Sequence, residues 1–209
     1  MQGLGKAVTI VVAGCGALAA TAQAQSVTIA PPKPCYLAGE QITATAAGFT
    51  PGGLIDFAID GRPLGPLVAD AAGTAVGAIT LGGMRGAKSH GLSVTDQTNP
   101  ALVANAAFLG TTRQVVVKPR NAAAGSARRL KGYGFMDGPR VYMHVRGNGY
   151  SADKRIAKPG GPCGTFATRK VIVPASAGLG RYRVQFDHKK KYSKKTRPRF
   201  VGAMRVTPR

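Results

Sequence analysis

The turn GFTPG at residues 48–52 leads into an alternating apolar segment, LIDFAI, at residues 54–59. The same arrangement returns 86 positions later, where GFMDG at residues 134–138 precedes RVYMHV at residues 140–145. Further positions align at offsets of 86 to 91: Ala38-Gly39 with Ala124-Gly125, Gly73-Thr74 with Gly164-Thr165, and Leu92 and Val94 with Tyr182 and Val184. A tandem repeat of this length, with Gly and Pro turns at short intervals, predicts two related domains rather than a solenoid.

Short stretches in both halves alternate apolar and polar residues with the period of two that a half-buried β-strand shows. They span residues 41–46, 55–59, 75–81 and 92–96 in the first half, and 141–146, 168–173, 181–187 and 200–206 in the second. The 29 Gly and 14 Pro residues punctuate these stretches and disfavour helices. About seven short strands per half predict an all-β fold of two tandem immunoglobulin-like β-sandwich domains. Phe49 and Phe135 are then expected to fill the core at the end of the second strand.

A glycine-aromatic turn precedes an alternating strand in both copies, as GFTPG at residues 48–52 and as Gly132-Tyr133-Gly134-Phe135. The first copy adds an acidic turn, Asp70-Ala71-Ala72-Gly73. With these motifs the chain resembles secreted bacterial proteins built from immunoglobulin-like (IPT/TIG-like) repeats. The resemblance implies an adhesive or spacer role and no catalytic residues. The second copy departs from the pattern, because Asp137 replaces Pro51 and Gly161-Pro162-Cys163-Gly164 replaces the acidic turn.

Residues 1–24 have the pattern of a signal peptide that is removed on export. Lys6 gives a short positive region, residues 7–20 carry no charge, and Ala22-Gln23-Ala24 places small residues where signal peptidase cuts. Lipidation at Cys15 is the alternative, because Val12-Ala13-Gly14-Cys15 is similar to the lipobox of bacterial lipoproteins. We favour cleavage after Ala24, since the apolar run continues beyond Cys15. We therefore expect a secreted or envelope-associated protein with domains at residues 25–112 and 113–209.

The two predicted domains differ strongly in charge. Residues 25–112 contain four Lys/Arg and five Asp/Glu, a net charge of −1. Residues 113–209 contain 24 Lys/Arg and three Asp/Glu, a net charge of +21. Two copies of one fold with such different charges predict a neutral first domain and a second domain that binds an anion.

Three predicted strands of the second domain place basic side chains on one face. Val141, Met143 and Val145 mark the core side of the first strand, so the alternate residues face solvent. The same rule in the other two strands turns Gln185 and several arginines outward. These strands correspond to the C, F and G strands of an immunoglobulin sandwich, which are neighbours in one sheet. The side chains predicted to bind polyanions on this face are Arg140, Tyr142, His144, Arg146, Arg181, Arg183, Arg199 and Arg205. The alternative is that they are solvated surface residues without a ligand.

The segment HKKKYSKKTRPR at residues 188–199 joins the last two predicted strands. We expect a mobile hairpin that holds a polyanion by charge alone, without reading its sequence. Its seven basic residues are Lys189, Lys190, Lys191, Lys194, Lys195, Arg197 and Arg199. A loop that only raises solubility is the alternative.

Cys35 and Cys163 are the two cysteines that remain after either cleavage. In an oxidising compartment they either pair, which would clamp the two domains together, or stay buried as separate thiols. Cys35 follows Pro32-Lys33-Pro34, and Cys163 lies in a Gly/Pro turn, so both suit a tether better than a core position. We favour a disulfide, which would place the entry of the first domain against residues 159–164.

The chain is poor in groups for acid–base catalysis. It has three His and eight Asp/Glu, with no metal-ligand spacing. Asp60-Gly61 and Gly147-Asn148-Gly149 are typical of turns. Cys163, with His144 as a partner, is the one reactive candidate, and a disulfide would remove it. The sequence predicts no enzyme, no metal site and no cofactor.

The leading hypothesis is an exported, non-enzymatic protein whose second domain binds anionic polymers of the cell envelope or the extracellular space, or anionic lipid headgroups. A structural or adhesive spacer with no specific ligand is the alternative. Sequence-independent nucleic-acid binding is the third hypothesis, and it requires Tyr142, Tyr150 and Tyr192 to stack on bases.

Overall fold

The computed structural model describes residues 24–208. These residues form 16 β-strands and no helix, arranged as four sheets that pair into two β-sandwiches. The prediction of two tandem immunoglobulin-like domains is confirmed. The expected signal peptide, with Cys15, lies outside the described residues except for Ala24. Among the described residues there is no apolar helix of membrane-spanning length.

The first sandwich has eight strands. They are β1 (Ser26–Ala30), β2 (Tyr36–Leu37), β3 (Gln41–Ala47), β4 (Leu54–Ile59), β5 (Arg62–Val68), β6 (Ala75–Thr80), β7 (Ala87–Asp96) and β8 (Val103–Thr111). One sheet has the order β1-β3-β6 and the other the order β2-β8-β7-β4-β5. These strands occupy the A-B-E and A′-G-F-C-C′ positions of an immunoglobulin sandwich.

The second sandwich repeats this topology strand for strand. Its strands are β9 (Gln114–Lys118), β10 (Asn121–Ala123), β11 (Ala127–Tyr133), β12 (Val141–Gly147), β13 (Tyr150–Ala157), β14 (Phe166–Val171), β15 (Gly180–Asp187) and β16 (Phe200–Thr207). One sheet has the order β14-β11-β9 and the other the order β10-β16-β15-β12-β13. The duplication inferred from the sequence is thus a duplication of topology.

The two copies also agree in detail at the turn that identified them. The amide of Phe49 donates a hydrogen bond to the carbonyl of Gly73 (3.1 Å), and the amide of Phe135 donates to that of Gly164 (3.0 Å). Both glycines have a positive φ, 73° and 55°. A Cβ on them would lie only 2.2 Å and 2.4 Å from the phenylalanine backbone, so only glycine fits. Phe49 and Phe135 are buried in the two cores, as predicted.

One part of the repeat alignment is wrong. In the first domain Phe57 on β4 lies opposite Val94, whereas Met143 on β12, which aligns with Phe57, lies opposite Phe186. Val94 therefore corresponds to Phe186 and not to Val184, so the alignment shifts by two residues along β15. Because the side-chain period of a strand is two, this shift leaves each side chain on its predicted face.

Each sandwich has its own apolar core, and the second core positions the candidate site. Phe135, Met143, Tyr182 and Phe186 are all 0% exposed. Burying side chains of this size contributes about 1.5–3 kcal/mol each. Their burial fixes the inward face of β12 and β15, and the alternate residues of both strands must therefore point away from the core.

A disulfide joins the two domains. Cys35, just before β2, is bonded to Cys163, just before β14, with Cα atoms 5.2 Å apart. Lys33 and Pro34 line a groove of about 510 Å³ together with Pro162, so the entry of the first domain lies against residues 159–164, as expected for the paired state. The bond removes Cys163 as a nucleophile.

A two-residue linker, held by side-chain contacts on both sides, connects the two domains. β8 ends at Thr111 and β9 begins at Gln114, on either side of the expected boundary at residues 112 and 113. The hydroxyl of Thr111 donates to the carbonyl of Gly86 (2.6 Å). Arg113 forms an ion pair with Asp137 in the turn that follows Phe135, and its guanidinium lies 5.6 Å from the Phe135 ring centre.

Candidate anion-binding surface

The C, F and G strands of the second domain, β12, β15 and β16, are neighbours in one sheet, as predicted. Their register places like charges directly opposite one another: Arg146 lies opposite Arg183, and Arg181 lies opposite Arg205. Like charges in such pairs destabilise a sheet. The structure therefore keeps these four guanidinium groups together at an electrostatic cost.

The four arginines follow a diagonal across the sheet. Arg146 on β12 lies beside Arg183 on β15, and Arg181, two residues away on β15, lies beside Arg205 on β16. Arg120, the residue before β10, continues the line beyond Arg205. We call this set the arginine row: Arg146, Arg183, Arg181, Arg205 and Arg120. Two shallow grooves of about 530 Å³ and 400 Å³ follow the row and share Arg181 and Ala203 in their walls.

Most of the arginine row has no counter-charge. The second domain has three acidic residues, and none of them pairs with Arg181, Arg183 or Arg205. Within the described residues, these three side chains make no hydrogen bond or ion pair either. The exposed guanidinium groups thus keep all their donors available for a ligand.

His144 corrects the prediction that every alternate residue of β12 faces solvent. Its side chain points away from the core but is 0% exposed. Its Nδ1 lies 3.0 Å from a carboxylate oxygen of Asp153, and its Nε2 lies 3.3 Å from one of Asp187, which is also fully buried. Gln185, also expected to be exposed, is 0% exposed beside it and donates to Asp187 (2.6 Å). A buried polar cluster therefore occupies one end of this face.

Residues 188–199, which we call the basic loop, cover that cluster. The amide of Lys189 donates to Asp187 (2.7 Å), and the amide of Tyr192 donates to Asp153 (3.3 Å). Gln185 also donates to the carbonyl of Ser193 (3.0 Å). The segment joins the antiparallel neighbours β15 and β16, as a hairpin connection does, but it contains no strand of its own and is hydrogen-bonded to the sheet. The physical reason is that Asp153 and Asp187 accept hydrogen bonds from loop amides and Gln185 donates one to a loop carbonyl.

Tyr192 connects the basic loop to the arginine row. Its ring centre lies 5.8 Å from that of His144, and the guanidinium of Arg146 lies 4.3 Å above the ring. Arg146 also pairs with Asp153 and donates to the carbonyl of Ala152 (3.0 Å). Arg146 is therefore held in place at the boundary between the loop and the open grooves.

The carboxylate of Asp153 contacts His144 and Arg146 on the sheet and the amide of Tyr192 in the basic loop. Burial raises its pKa, but hydrogen bonds from His144, Arg146 and the Tyr192 amide outweigh that effect and hold the pKa below its ordinary value. Asp153 is therefore ionised at neutral pH and accepts hydrogen bonds from these three partners.

The other predicted residues do not all gather at one place. Arg140 precedes β12 at the opposite end from Arg146, roughly 20 Å away at 3.4 Å per residue. It is exposed, and Tyr142 is half-buried opposite Asp187. Arg199 is half-buried and donates to backbone carbonyls within the loop. The remaining basic residues of the loop are exposed: Lys189, Lys190, Lys191, Lys194, Lys195 and Arg197.

Sequence reasoning missed two features of the second domain. The buried Arg128 donates to the carbonyls of Pro119, Ala122 and Arg205, and so ties the segment that carries Arg120 to β16. The available signal was that Arg128 lies two residues before the core residue Leu130 in β11 and therefore on the same, inward face. The second feature is a basic row on the other sheet, where Arg129 lies opposite both Lys118 and Arg169. We call Lys118, Arg129 and Arg169 the opposite row.

No protein-family model matches the chain, and no curated protein matches it. Among solved structures, it is similar to Salmonella alpha-2-macroglobulin (11% identity, TM-score 0.42) over 88% of this chain and 16% of that chain. It is similar to E. coli alpha-2-macroglobulin (13%, 0.39) over 88% of this chain and 17% of that one. A membrane-anchored protein of Corynebacterium diphtheriae (12%, 0.36) aligns over 88% of this chain and 57% of its own. The chain thus spans less than two thirds of each, and similarity at this level carries no functional argument.

Proposed function

We propose that this chain is an exported, non-enzymatic protein whose second domain binds an anionic polymer of the cell envelope or the extracellular space. The first domain serves as its neutral carrier. The resemblance to secreted immunoglobulin-like repeats and the signal-peptide pattern of residues 1–24 support export.

The observation that carries this proposal is the contrast between two copies of one fold. The first copy has a net charge of −1 and the second has +21. All three acidic residues of the second copy are already engaged, Asp137 with Arg113, Asp153 with Arg146, and Asp187 with His144. Because the fold forms without this charge in the first domain, the excess in the second is not needed for folding. Electrostatic attraction to a polyanion is the function that such an excess supports.

Binding to dextran sulfate, with neutral dextran as the matched control, tests the proposal on the whole mature chain. We expect binding to dextran sulfate at about 50 mM NaCl and a linear fall of log affinity with log salt concentration, because counterions are released on binding. The mature chain should not bind neutral dextran. Equal binding to both polymers, or binding that ignores salt, would contradict the proposal, and binding to neither would favour a spacer without a specific ligand.

A further inference from the structure

We propose that the ligand is a single extended, non-aromatic polyanion that lies along the arginine row, with successive phosphate or carboxylate groups on Arg146, Arg183, Arg181 and Arg205. The inference rests on the proposed function and adds to it the site, the path and the shape of the ligand.

The spacing of the row sets the spacing of the ligand's charges. Arg146 lies opposite Arg183, and Arg181 lies opposite Arg205, and such cross-strand neighbours are about 5 Å apart. Arg183 and Arg181 are two residues apart on one strand, about 7 Å. A linear polymer with one anionic group every 5–7 Å or so matches these steps. A guanidinium also presents paired donors that fit a phosphate or carboxylate.

The floor of the row favours a chain over a flat surface. On the outward face of β16 the small residue Ala203 lies opposite Arg183 and two residues before Arg205, and Val201 and Gly202 complete the wall of the same groove. The two depressions, about 530 Å³ and 400 Å³, adjoin at Arg181. A polymer one chain wide can enter them, whereas a lipid bilayer would meet only the tips of the side chains.

The aromatic residues favour a polymer without bases. Single-strand binding requires exposed rings on which bases stack. Tyr192 already packs between His144 and Arg146, and Tyr150 packs against the buried ring of Tyr182 (centres 6.5 Å apart). Among the described residues, Tyr182 is the one aromatic residue that lines the two grooves, and its side chain is buried and therefore cannot stack on a base.

The central test compares two variants of the mature chain with the same loss of charge. R181A/R183A/R205A removes the middle of the arginine row, and K118A/R129A/R169A removes the opposite row. The probes are linear polyphosphate and oligogalacturonate of defined length, with affinity measured by calorimetry and folding checked by thermal unfolding. We expect the first variant to lose at least about tenfold in affinity, because charge-assisted hydrogen bonds are lost, and the second less than about threefold.

A further variant, R181K/R183K/R205K, keeps the charge and the fold but removes the paired donors. We expect an intermediate loss of affinity, because lysine acts only as a point charge. Affinity should also rise steeply with probe length until the row is spanned, at roughly four or five anionic groups, and then level off. Preference for polyphosphate or for oligogalacturonate identifies the anionic group, and either preference supports the site.

Several results would overturn the site. Equal losses in the two alanine variants would assign binding to bulk charge, and loss only in K189A/K190A/K191A would assign it to the basic loop. Tighter binding to a thymidine oligonucleotide of equal charge would assign it to nucleic acid, and tighter binding to vesicles containing phosphatidylglycerol would assign it to a membrane. Each of these leaves anion binding by the second domain intact. Failure to bind any anionic probe would instead reject the proposed function itself.

Discussion

Asp96 shows how one buried carboxylate organises a turn of the first domain. It is 0% exposed and accepts hydrogen bonds from the amides of Thr50 (2.9 Å), Thr98 (2.8 Å) and Asn99 (3.1 Å). Burial raises its pKa, but these donors outweigh it and lower the pKa from 3.8 to about 2. The carboxylate thus joins the turn at Thr50, which identified the repeat, to the end of β7.

A lowered pKa makes the stability of the first domain depend on pH. Since the folded-state pKa of about 2 lies below the ordinary 3.8, the contribution of Asp96 is complete above that ordinary value and is lost as pH falls toward 2. We expect D96N to lower the free energy of unfolding by about 1–3 kcal/mol at pH 7. The difference from wild type should shrink toward pH 2.

Chemical denaturation of wild type and variant between pH 7 and pH 2 measures this effect. D56N is the matched control, because Asp56 is exposed and, among residues 24–208, its side chain accepts a hydrogen bond only from Gln97. A D96N difference that stays constant across this pH range would show that the ionised carboxylate does not stabilise the turn.

At the scale of elements, the connection between the F and G strands distinguishes the two domains. In the first domain it runs from residue 97 to 102, between β7 and β8, and in the second it is the 12-residue basic loop. A loop with so many like charges is expected to be solvated and irregular. The polar cluster beneath it explains why it folds against the sheet: Asp153, Asp187 and Gln185 offer partners to the loop backbone.

Removing His144 should release the basic loop. H144A removes the buried imidazole that joins Asp153 to the fully buried Asp187, and a buried carboxylate that loses a hydrogen-bond partner is destabilising. We expect trypsin to cleave after the loop lysines about tenfold faster or more in H144A. Limited digestion followed by intact-mass measurement locates the cuts.

The control is the same substitution in the first domain. His90 is also buried, 4% exposed, and its Nδ1 lies 2.7 Å from Asp60. H90A should leave cleavage at residues 189–195 unchanged. Equal acceleration in both variants would mean that global destabilisation, rather than release of the loop, exposes these sites.

At the scale of the whole molecule, the disulfide determines how the domains meet. Cys35 and Cys163 are 128 positions apart and both are buried at the junction, where the amide of Gly134 donates to the carbonyl of Cys163 (3.0 Å). Closing a loop of this length stabilises a folded chain by roughly 4–5 kcal/mol in the chain-entropy model, an upper figure.

Intact-mass measurement of the mature chain should find no alkylation without reductant and two alkyl groups after reduction. Reduction should also lower the melting temperature, because the unfolded chain regains conformational freedom. The variant C35S/C163S is the control and should show no further change with reductant. Two alkyl groups on the untreated protein would contradict the disulfide.

The sequence by itself determined the fold class, the duplication and the face that each strand presents. These follow from local rules: period-two alternation sets the sides of a strand, and Gly73 and Gly164 occupy turns that only glycine permits. The charge difference between the domains follows from composition alone. The pairing of Cys35 with Cys163 remained open at that level, because the approach of two distant residues depends on how the domains pack.

The tertiary structure alone decided which outward residues are accessible and which come together. Alternation turned both His144 and Arg183 away from the core, but the basic loop covers the first and leaves the second open. Cross-strand register set Arg181 opposite Arg205 and brought Arg120 beside them, whereas Arg140 lies at the far end of its strand. Register and loop path arise from contacts between residues distant in the chain, and local periodicity carries no information about them.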